Sequence, residues 1–433
     1  MTGGTASWPA DGPSPLWTAL SRERFAAPAL QGEIRADVTV IGGGIGGLAT
    51  AIELADRGHD VVLLEATHIG HGASGRANGQ VISALTRHGP DAIRKLWPGE
   101  RAERFIALVE GAADRLYQLI ERYGIDCDAR RNGWLQPAHT PGRAKRSAAL
   151  AAQWARAGAP AAAVDSAQMR DRLGTAAYCG GWEHRGGGHI NPYAFALGLA
   201  RGAAAEGVRI FEASPVHRLS RTGDLWTAET PAGRVASPRV VLATAAHSGD
   251  LWPELRRSVV PVTSYQAATP PLGPLAAHIL PRDEAASDTR MDLRYFRKDR
   301  DGRLVSGGAL ALQVMADRRL PALVSRRLRM LFPDLPDGPM EHFWGGRIAM
   351  TVDRLPHLHR RPDGLCAWIG CNGRGLALAC ALAPVMADAV EGVADEDLAL
   401  RPTPPRALPF HFLLARFARL ILPWYRFRDS REV

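Results

Sequence analysis

Gly42, Gly44 and Gly47 stand at the Gly-x-Gly-x-x-Gly spacing, between the apolar run DVTVI and the segment IGGLATAIELADRG. Residues in that order bind a pyrophosphate. Gly42 permits a tight turn, Gly44 lets the backbone approach the ligand, and Gly47 lets a helix pack close on a strand. The unpaired N–H groups and positive dipole end of that helix then face the phosphates. Glu65 ends the next apolar run, HDVVLLE, where a carboxylate bonds a ribose hydroxyl. The same carboxylate would repel a 2′-phosphate, which argues against NADP.

These residues need a strand, a turn, a helix closed by Gly58 and a second strand, and residues 37–65 have that pattern. A minimal NAD unit would then enter another helix. Here the chain continues as HIGHGASGRANGQV, polar and glycine-rich. Gly72, Ala73, Ser74 and Gly75 suit a loop lying against a long ligand. Ser74 and Arg76 are able to bond its phosphate and ring edge. The extension therefore points to FAD.

Further along, 91–124 reads as one long amphipathic helix interrupted by Pro98 and ended by Gly124, and 143–173 as a second helical stretch. Asn191–Pro192 reads as an N-cap and first helical turn. Short strands follow, and RYFRKDRDGRLVSGG reads as a hairpin around Asp301–Gly302. Near the end GLCAWIG is a strand, NGRG a turn and LALACALAPVMADAVEG a helix. The expected fold is α/β, a Rossmann-like FAD-binding domain interleaved with an α+β substrate domain containing an antiparallel sheet. The expected division is an N-terminal arm (1–36), an FAD-binding domain (37–90, 176–257 and 336–400), a substrate domain (91–175 and 258–335) and a C-terminal tail (401–433).

Hydrophobic residues make up 46% of the 433, enough for a sizeable core, and no run is long and apolar enough to span a membrane. The N-terminus lacks the pattern of a secretory signal, so a cytoplasmic location is expected. Five scattered cysteines, including Cys366 and Cys371, read as small buried thiols, with no metal site expected. The net charge of +9 comes almost wholly from arginines spread along the chain, so nucleic acid is not expected as a partner.

Five stretches together carry a family resemblance: DVTVIGGGIGGLATAIELADRGHDVVLLEA, GHGASGRANGQV, YFRKDRDGRLVSGG, WGGRIAMTVDRLPHL and IGCNGRGLALA. Through them the chain resembles the D-amino-acid oxidase superfamily of FAD-dependent oxidoreductases. Within it, the chain is most similar to the γ-glutamylputrescine oxidoreductase branch and its glycine/sarcosine-oxidase-like relatives. The resemblance implies that Gly42, Gly44 and Gly47 hold pyrophosphate and Glu65 the adenosine ribose. It implies that Ser74, Gly75 and Arg76 line the flavin side, and that Val216, in a strand SPVHRL, bonds adenine through its backbone. Gly370, Asn372, Gly373, Gly375 and Leu376 then form the turn and helix start beside the pyrimidine end of the flavin. The implied activity is oxidation of the C–N bond of an amine or amino acid, with oxygen or another electron acceptor.

Two departures qualify this. Ala77 and Asn78 shift the amide of GASGRNGGQ by one place, and Gly346 and Arg347 stand where relatives with covalent flavin carry a cysteine. Non-covalent FAD is therefore expected. None of Lys95, Lys145 and Lys298 matches the oxygen-activating lysine of sarcosine-oxidase-like enzymes, and Lys298 reads as solvated. That weakens an oxidase relative to a dehydrogenase.

No catalytic residue is fixed by the sequence. Arg294, Tyr295 and Trp344 are the candidates, the arginine as a carboxylate clamp and the tryptophan as a pocket wall or, better, core. Arg297 and Tyr265 are weighed on the same terms. His184, His189, His342, His357 and His359 are candidate bases, but hydride transfer from an amine needs only the unprotonated amine. The apolar, arginine-studded tail ALPFHFLLARFARLILPWYRFRD fits docking on the protein's own surface ahead of lying on a membrane. Two other functions stay open: a tRNA-modifying flavoprotein acting on a uridine side-chain amine, and a non-catalytic flavin-binding subunit.

Overall fold

Val38–Ile41 (β1) and Val61–Leu64 (β2) are buried along their whole length, as continuous apolar strands covered on both faces should be. Between them runs helix α1, Ile45–Asp56. The computed structural model describes residues 13–85, 87–292 and 294–432. The first twelve residues of the expected arm, with Trp8, lie outside the described residues.

β1 and β2 pair in parallel inside a six-stranded sheet with the order 357–360, 365–369, 239–242, β1, β2, 209–211. Only the 357–369 hairpin is antiparallel. Leu365–Ile369 leads into α2, Gly375–Glu391, which packs against α1. The sheet thus draws its strands from three distant parts of the chain, as the interleaved α/β reading requires. A four-stranded sheet (32–35, 233–237, 225–229, 218–222) packs on it around Trp226, Trp252 and Val240.

The second body is an eight-stranded mixed sheet, mostly antiparallel. Its longest pair joins Val260–Ala268 (β3) to His342–Met350 (β4) over nine residues each. Gly181–His184 also belongs to it. Both β4 and Gly181–His184 were expected in the FAD-binding domain. Their partners are set by pairing across the chain, which hydropathy along it does not encode.

Two other segments and two cysteines depart from expectation. Residues 91–124 form three helices, Pro90–Leu96, Glu100–Glu110 and Ala112–Tyr123, and the third packs on α2 beside the dinucleotide unit. The extra break falls at Gly111, where the Ser83 hydroxyl accepts the Ala113 N–H at 2.8 Å and so caps the third helix. Residues 143–173 resolve into a helix, the strand Ala161–Val164 and a second helix opened by a capping box between Asp165 and Gln168. Among the cysteines, Cys179 is exposed and Cys371 half-buried; Cys127, Cys366 and Cys380 are buried thiols.

Candidate functional site

Two helix N-termini and one strand end frame the site. Gly42 takes φ +117° at the end of β1, and a Cβ on Gly47 would lie 2.0 Å from the Gly42 carbonyl oxygen. No larger side chain fits either position without moving backbone. Three groups then converge at the mouth of α1. The Gly43 N–H donates to Glu65 at 2.7 Å, the Ile45 N–H donates to the Ser74 hydroxyl at 3.0 Å, and no acidic side chain occupies the first turn. A Cβ on Gly44 would meet that hydroxyl at 2.8 Å, so the bare backbone lets Ser74 lie against the turn. The other Glu65 oxygen accepts the Thr67 N–H at 2.9 Å. A helix N-terminus free of acidic side chains, flanked by a hydroxyl and an accepting carboxylate, is the set of donors and acceptors that a dinucleotide's pyrophosphate and ribose require.

Val216 precedes the strand Arg218–Thr222 instead of lying in it. The neighbouring Ser214 N–H donates to the Glu65 carbonyl, which sets this stretch beside the ribose position. Among the described residues, neither the N–H nor the C=O of Val216 has a backbone partner.

At the other end, Gly370 (φ +92°), Asn372 (φ +50°) and Gly373 (φ +81°) make the left-handed turn into α2. The Asn372 side chain faces into this turn. Its Oδ1 accepts the Thr351 N–H at 2.9 Å and its Nδ2 donates to the Gly370 carbonyl at 2.8 Å. Asn372 therefore fixes the turn's shape, so a ligand at this end would meet the backbone of Gly373, Gly375 and Leu376. A residue the sequence reading passed over sits here as well. Arg374 is half-buried, donates to the carbonyls of Ala84 and Leu85 at 3.1 Å, and lies over the Trp134 ring at 5.0 Å. Burial lowers its pKa to about 10, so it stays charged at neutral pH. Among the described residues Arg374 has no carboxylate partner, and a cation at a helix N-terminus would favour negative charge developing on a flavin pyrimidine. Its signal in the sequence was an arginine between two glycines ahead of an apolar helix.

Arg76, expected at the phosphate and ring edge, is buried beneath the loop. It donates to the carbonyls of His71 at 2.9 Å and of Pro13 and Gly345 at 3.2 Å, tying the flavin loop to β4. Arg297 does the same from the substrate sheet. It donates to the carbonyls of Asn78 and Ile190 at 2.7 Å and stacks over Trp17 at 4.3 Å, so it holds the loop and clamps no substrate.

The face of β3 and β4 toward this loop carries a polar chain. Asn78 Nδ2 donates to Gln266 Oε1 at 3.1 Å, and Gln266 Nε2 donates to the Tyr295 hydroxyl at 2.7 Å. Ser264 lies 3.2 Å from the same hydroxyl. Gly307 makes room, since a Cβ there would sit 2.5 Å from the Tyr295 oxygen. Asn78 Oδ1 is buried with no partner among the described residues. The displaced amide thus joins the flavin loop to the substrate sheet.

The remaining candidates fall elsewhere. Trp344 is fully buried, donates to the Arg76 carbonyl at 2.9 Å and packs edge-on against Trp17, so it is core. Tyr265 is on the opposite face of β3, stacked on Phe343. Arg294 lies among Asp288, Arg290, Arg327 and Tyr178, away from Asn78; burial and the two arginines lower its pKa. Lys298 is half-buried and donates to the Ala276 carbonyl at 2.9 Å, so it is bound, not solvated. The histidines are structural: His189 contacts Arg297 and the Asp283 carbonyl, His359 the Thr403 carbonyl, and His357 Asp353. His342 lies beside Glu341, and His184 is buried in its strand.

A two-body architecture with a dinucleotide cradle at the junction is that of an FAD-dependent oxidoreductase. Residues 37–389 match the model of the family described as FAD dependent oxidoreductase (DAO), and the chain belongs to it. It is 33% identical over 414 residues to a probable oxidoreductase OrdL of Rhizobium meliloti, covering 94% of this chain and 95% of that one. It is 29% identical to the γ-glutamylputrescine oxidoreductase of Escherichia coli, covering 96% and 98%. Among solved structures, glycine oxidase from Geobacillus kaustophilus shares the fold with a TM-score of 0.69 at 24% identity, covering 83% of this chain and 95% of that one.

Proposed function

We propose that this FAD-dependent oxidoreductase oxidises the C–N bond of a small amine or amino acid, of the γ-glutamylated polyamine or N-methylated amine class. The observation that carries the reading is the polar chain Tyr295–Gln266–Asn78, which faces the flavin loop and contains no ionised group. Such a surface receives an uncharged amine, the form from which hydride can leave. Burial pushes the Tyr295 phenol up, so it stays protonated; its hydroxyl accepts from Gln266 and donates to the Tyr265 carbonyl at 3.4 Å, a long bond that a substrate nitrogen could replace. Asn78 Oδ1 offers an unused acceptor. The named activities of the γ-glutamylputrescine and glycine enzymes, both on amine-bearing substrates, support the same class.

Bound FAD would supply the two-electron acceptor for the substrate carbon next to nitrogen. The chain's own part is to hold that carbon near the N-terminus of α2, orient the nitrogen through Tyr295 and Ser264, and keep positive charge at Arg374. Water then converts the substrate imine to a carbonyl compound and an amine. Lys298 is committed to the Ala276 carbonyl, which supports an electron acceptor other than oxygen. Gly346 and Arg347 support FAD held without a covalent bond, so acid should release the chromophore.

The test is an anaerobic screen of γ-glutamylated polyamines, N-methylated amines and amino acids for bleaching of the flavin, followed by admission of air. Bleaching by an amine with slow recovery in air is expected. If dithionite bleaches the flavin but no amine or amino acid does, the proposal fails. A salt-sensitive tRNA shift without amine bleaching would move the assignment to RNA modification.

A further inference from the structure

The C-terminal segment presents the inverse of an ordinary docked helix. His411–Phe417, Ala418–Ile421 and Leu422–Arg431 form two short helices joined by a tight turn, and His411, Arg426 and Asp429 point toward the protein. Arg426 pairs with the buried Asp292 at 2.6 Å, and the Asp429 carboxylate accepts the N–H groups of Met291 and Asp292 at 3.0 Å. Glu432 pairs with Arg143, and His411 contacts the Val259 carbonyl at 2.9 Å. The segment is therefore anchored to the substrate sheet by ion pairs and hydrogen bonds.

Its apolar side chains point outward. Phe410, Phe412, Phe417, Leu420, Trp424 and Phe427 are 47–80% exposed. Of the fifteen exposed large hydrophobic side chains among the described residues, nine fall between 410 and 427. That concentration is a patch and not scatter. Around it lie Arg406, Arg416, Arg419, Arg428 and Arg431. Residues 401–432 hold seven arginines against Asp429 and Glu432, a net charge of 7 − 2 = +5.

We propose that this segment docks the protein on an anionic lipid bilayer, lying in the interface with its phenylalanines and Trp424 among the acyl chains and its arginines at the head groups. Charge selects this occupant. A second copy would set +5 against +5 across the contact, whereas acidic head groups complement it. Length excludes insertion through the bilayer: the helices have 7 and 10 residues, and no helix among the described residues is long and apolar enough to cross. Apolar bodies with a cationic fringe are what interfacial segments use, with burial to a depth of about 5–10 Å. The inference does not depend on the substrate of the enzyme.

Flotation of the full-length holoprotein tests it, using vesicles of phosphatidylcholine alone and of equimolar phosphatidylcholine and phosphatidylglycerol. The expected result is flotation with phosphatidylglycerol at low salt, reduced by high salt. The triple variant Phe412→Ser/Phe417→Ser/Trp424→Ser should bind at least about tenfold more weakly with flavin content unchanged, because all three side chains are exposed. Arg416→Gln/Arg419→Gln should lose the preference for phosphatidylglycerol. Wild-type protein that stays unbound at low salt overturns the proposal, as does a triple variant that floats like wild type. So does a wild-type dimer in solution that the triple variant converts to monomer, since a second copy would then cover the face.

Discussion

The Glu65 carboxylate accepts the Gly43 N–H at 2.7 Å, so the end of β2 is fastened to the turn that opens α1. Its second oxygen takes the Thr67 N–H, and the two donors need two acceptor oxygens. Glu65→Ala removes both contacts and the expected ribose acceptor. Hydrogen bonds to a charged group contribute about 1.5–3 kcal/mol, so FAD affinity should fall roughly 10- to 150-fold. Glu65→Gln should also weaken binding, because its amide nitrogen opposes one donor. Flavin titration of the apoprotein reads both; wild-type affinity in the alanine variant would refute the placement.

Gly47→Ala puts a methyl group 2.0 Å from the Gly42 oxygen. Helix and strand must separate, at a cost of about 1–3 kcal/mol or more. The variant should melt several degrees lower and purify with less flavin. Gly72→Ala, in the flavin loop with nothing within 4 Å of the added atom, should change stability by less than about 0.5 kcal/mol. Equal melting temperatures for the two variants would contradict the close packing.

Tyr295→Phe leaves Gln266 Nε2 without its acceptor and removes the hydroxyl at the end of the polar chain from Asn78. An orphaned buried donor costs about 1–3 kcal/mol. With a substrate from the bleaching screen, kcat/KM should drop about 10- to 100-fold, while flavin content and spectrum stay as in wild type. Loss of flavin together with activity would show a role in folding instead.

His184 is 1% exposed and neither ring nitrogen has a partner among the described residues. Burial lowers its pKa from 6.5 to about 4; Asp114 opposes this by a smaller amount, and Arg131 adds slightly to it. The folded state thus holds this ring neutral where the unfolded chain protonates it. Its contribution is intact above about pH 6.5 and is lost as pH falls through about 4, up to about 3 kcal/mol. His184→Phe should therefore lose less thermal stability than wild type between about pH 7 and about pH 4.5. Parallel melting curves across that range would rule the effect out.

The glycine turn, Glu65 and the turn into α2 were legible in the sequence because each is a local device, encoded within a few residues of where it acts. The split of 91–124 at Gly111 was not, because its capping hydroxyl comes from Ser83. The placement of β4 was hidden for a related reason: nothing in HFWGGRIAM names Val260–Ala268 as its partner. Asn78, Gln266 and Tyr295 lie in three separate segments and meet only when the flavin loop is pressed onto the sheet by Arg76 and Arg297. Those two arginines looked like ligands for a phosphate or a carboxylate. Burial commits them to backbone carbonyls, a use that residue type alone does not reveal.

The interleaving of the six-stranded sheet has a consequence for biosynthesis. The turn at Gly42–Gly47 leaves the ribosome early, but its counterpart at Gly370–Leu376 follows more than three hundred residues later. At about 5–20 residues per second, the nascent chain carries half a cradle for roughly 15–65 s before the strand 365–369 and α2 emerge to complete the sheet. Over that interval β1, β2 and the helices of the first third have no finished core to join. The cofactor's cradle is complete only once α2 has emerged, and a chain truncated before α2 would be a client for chaperones, not a smaller flavoprotein.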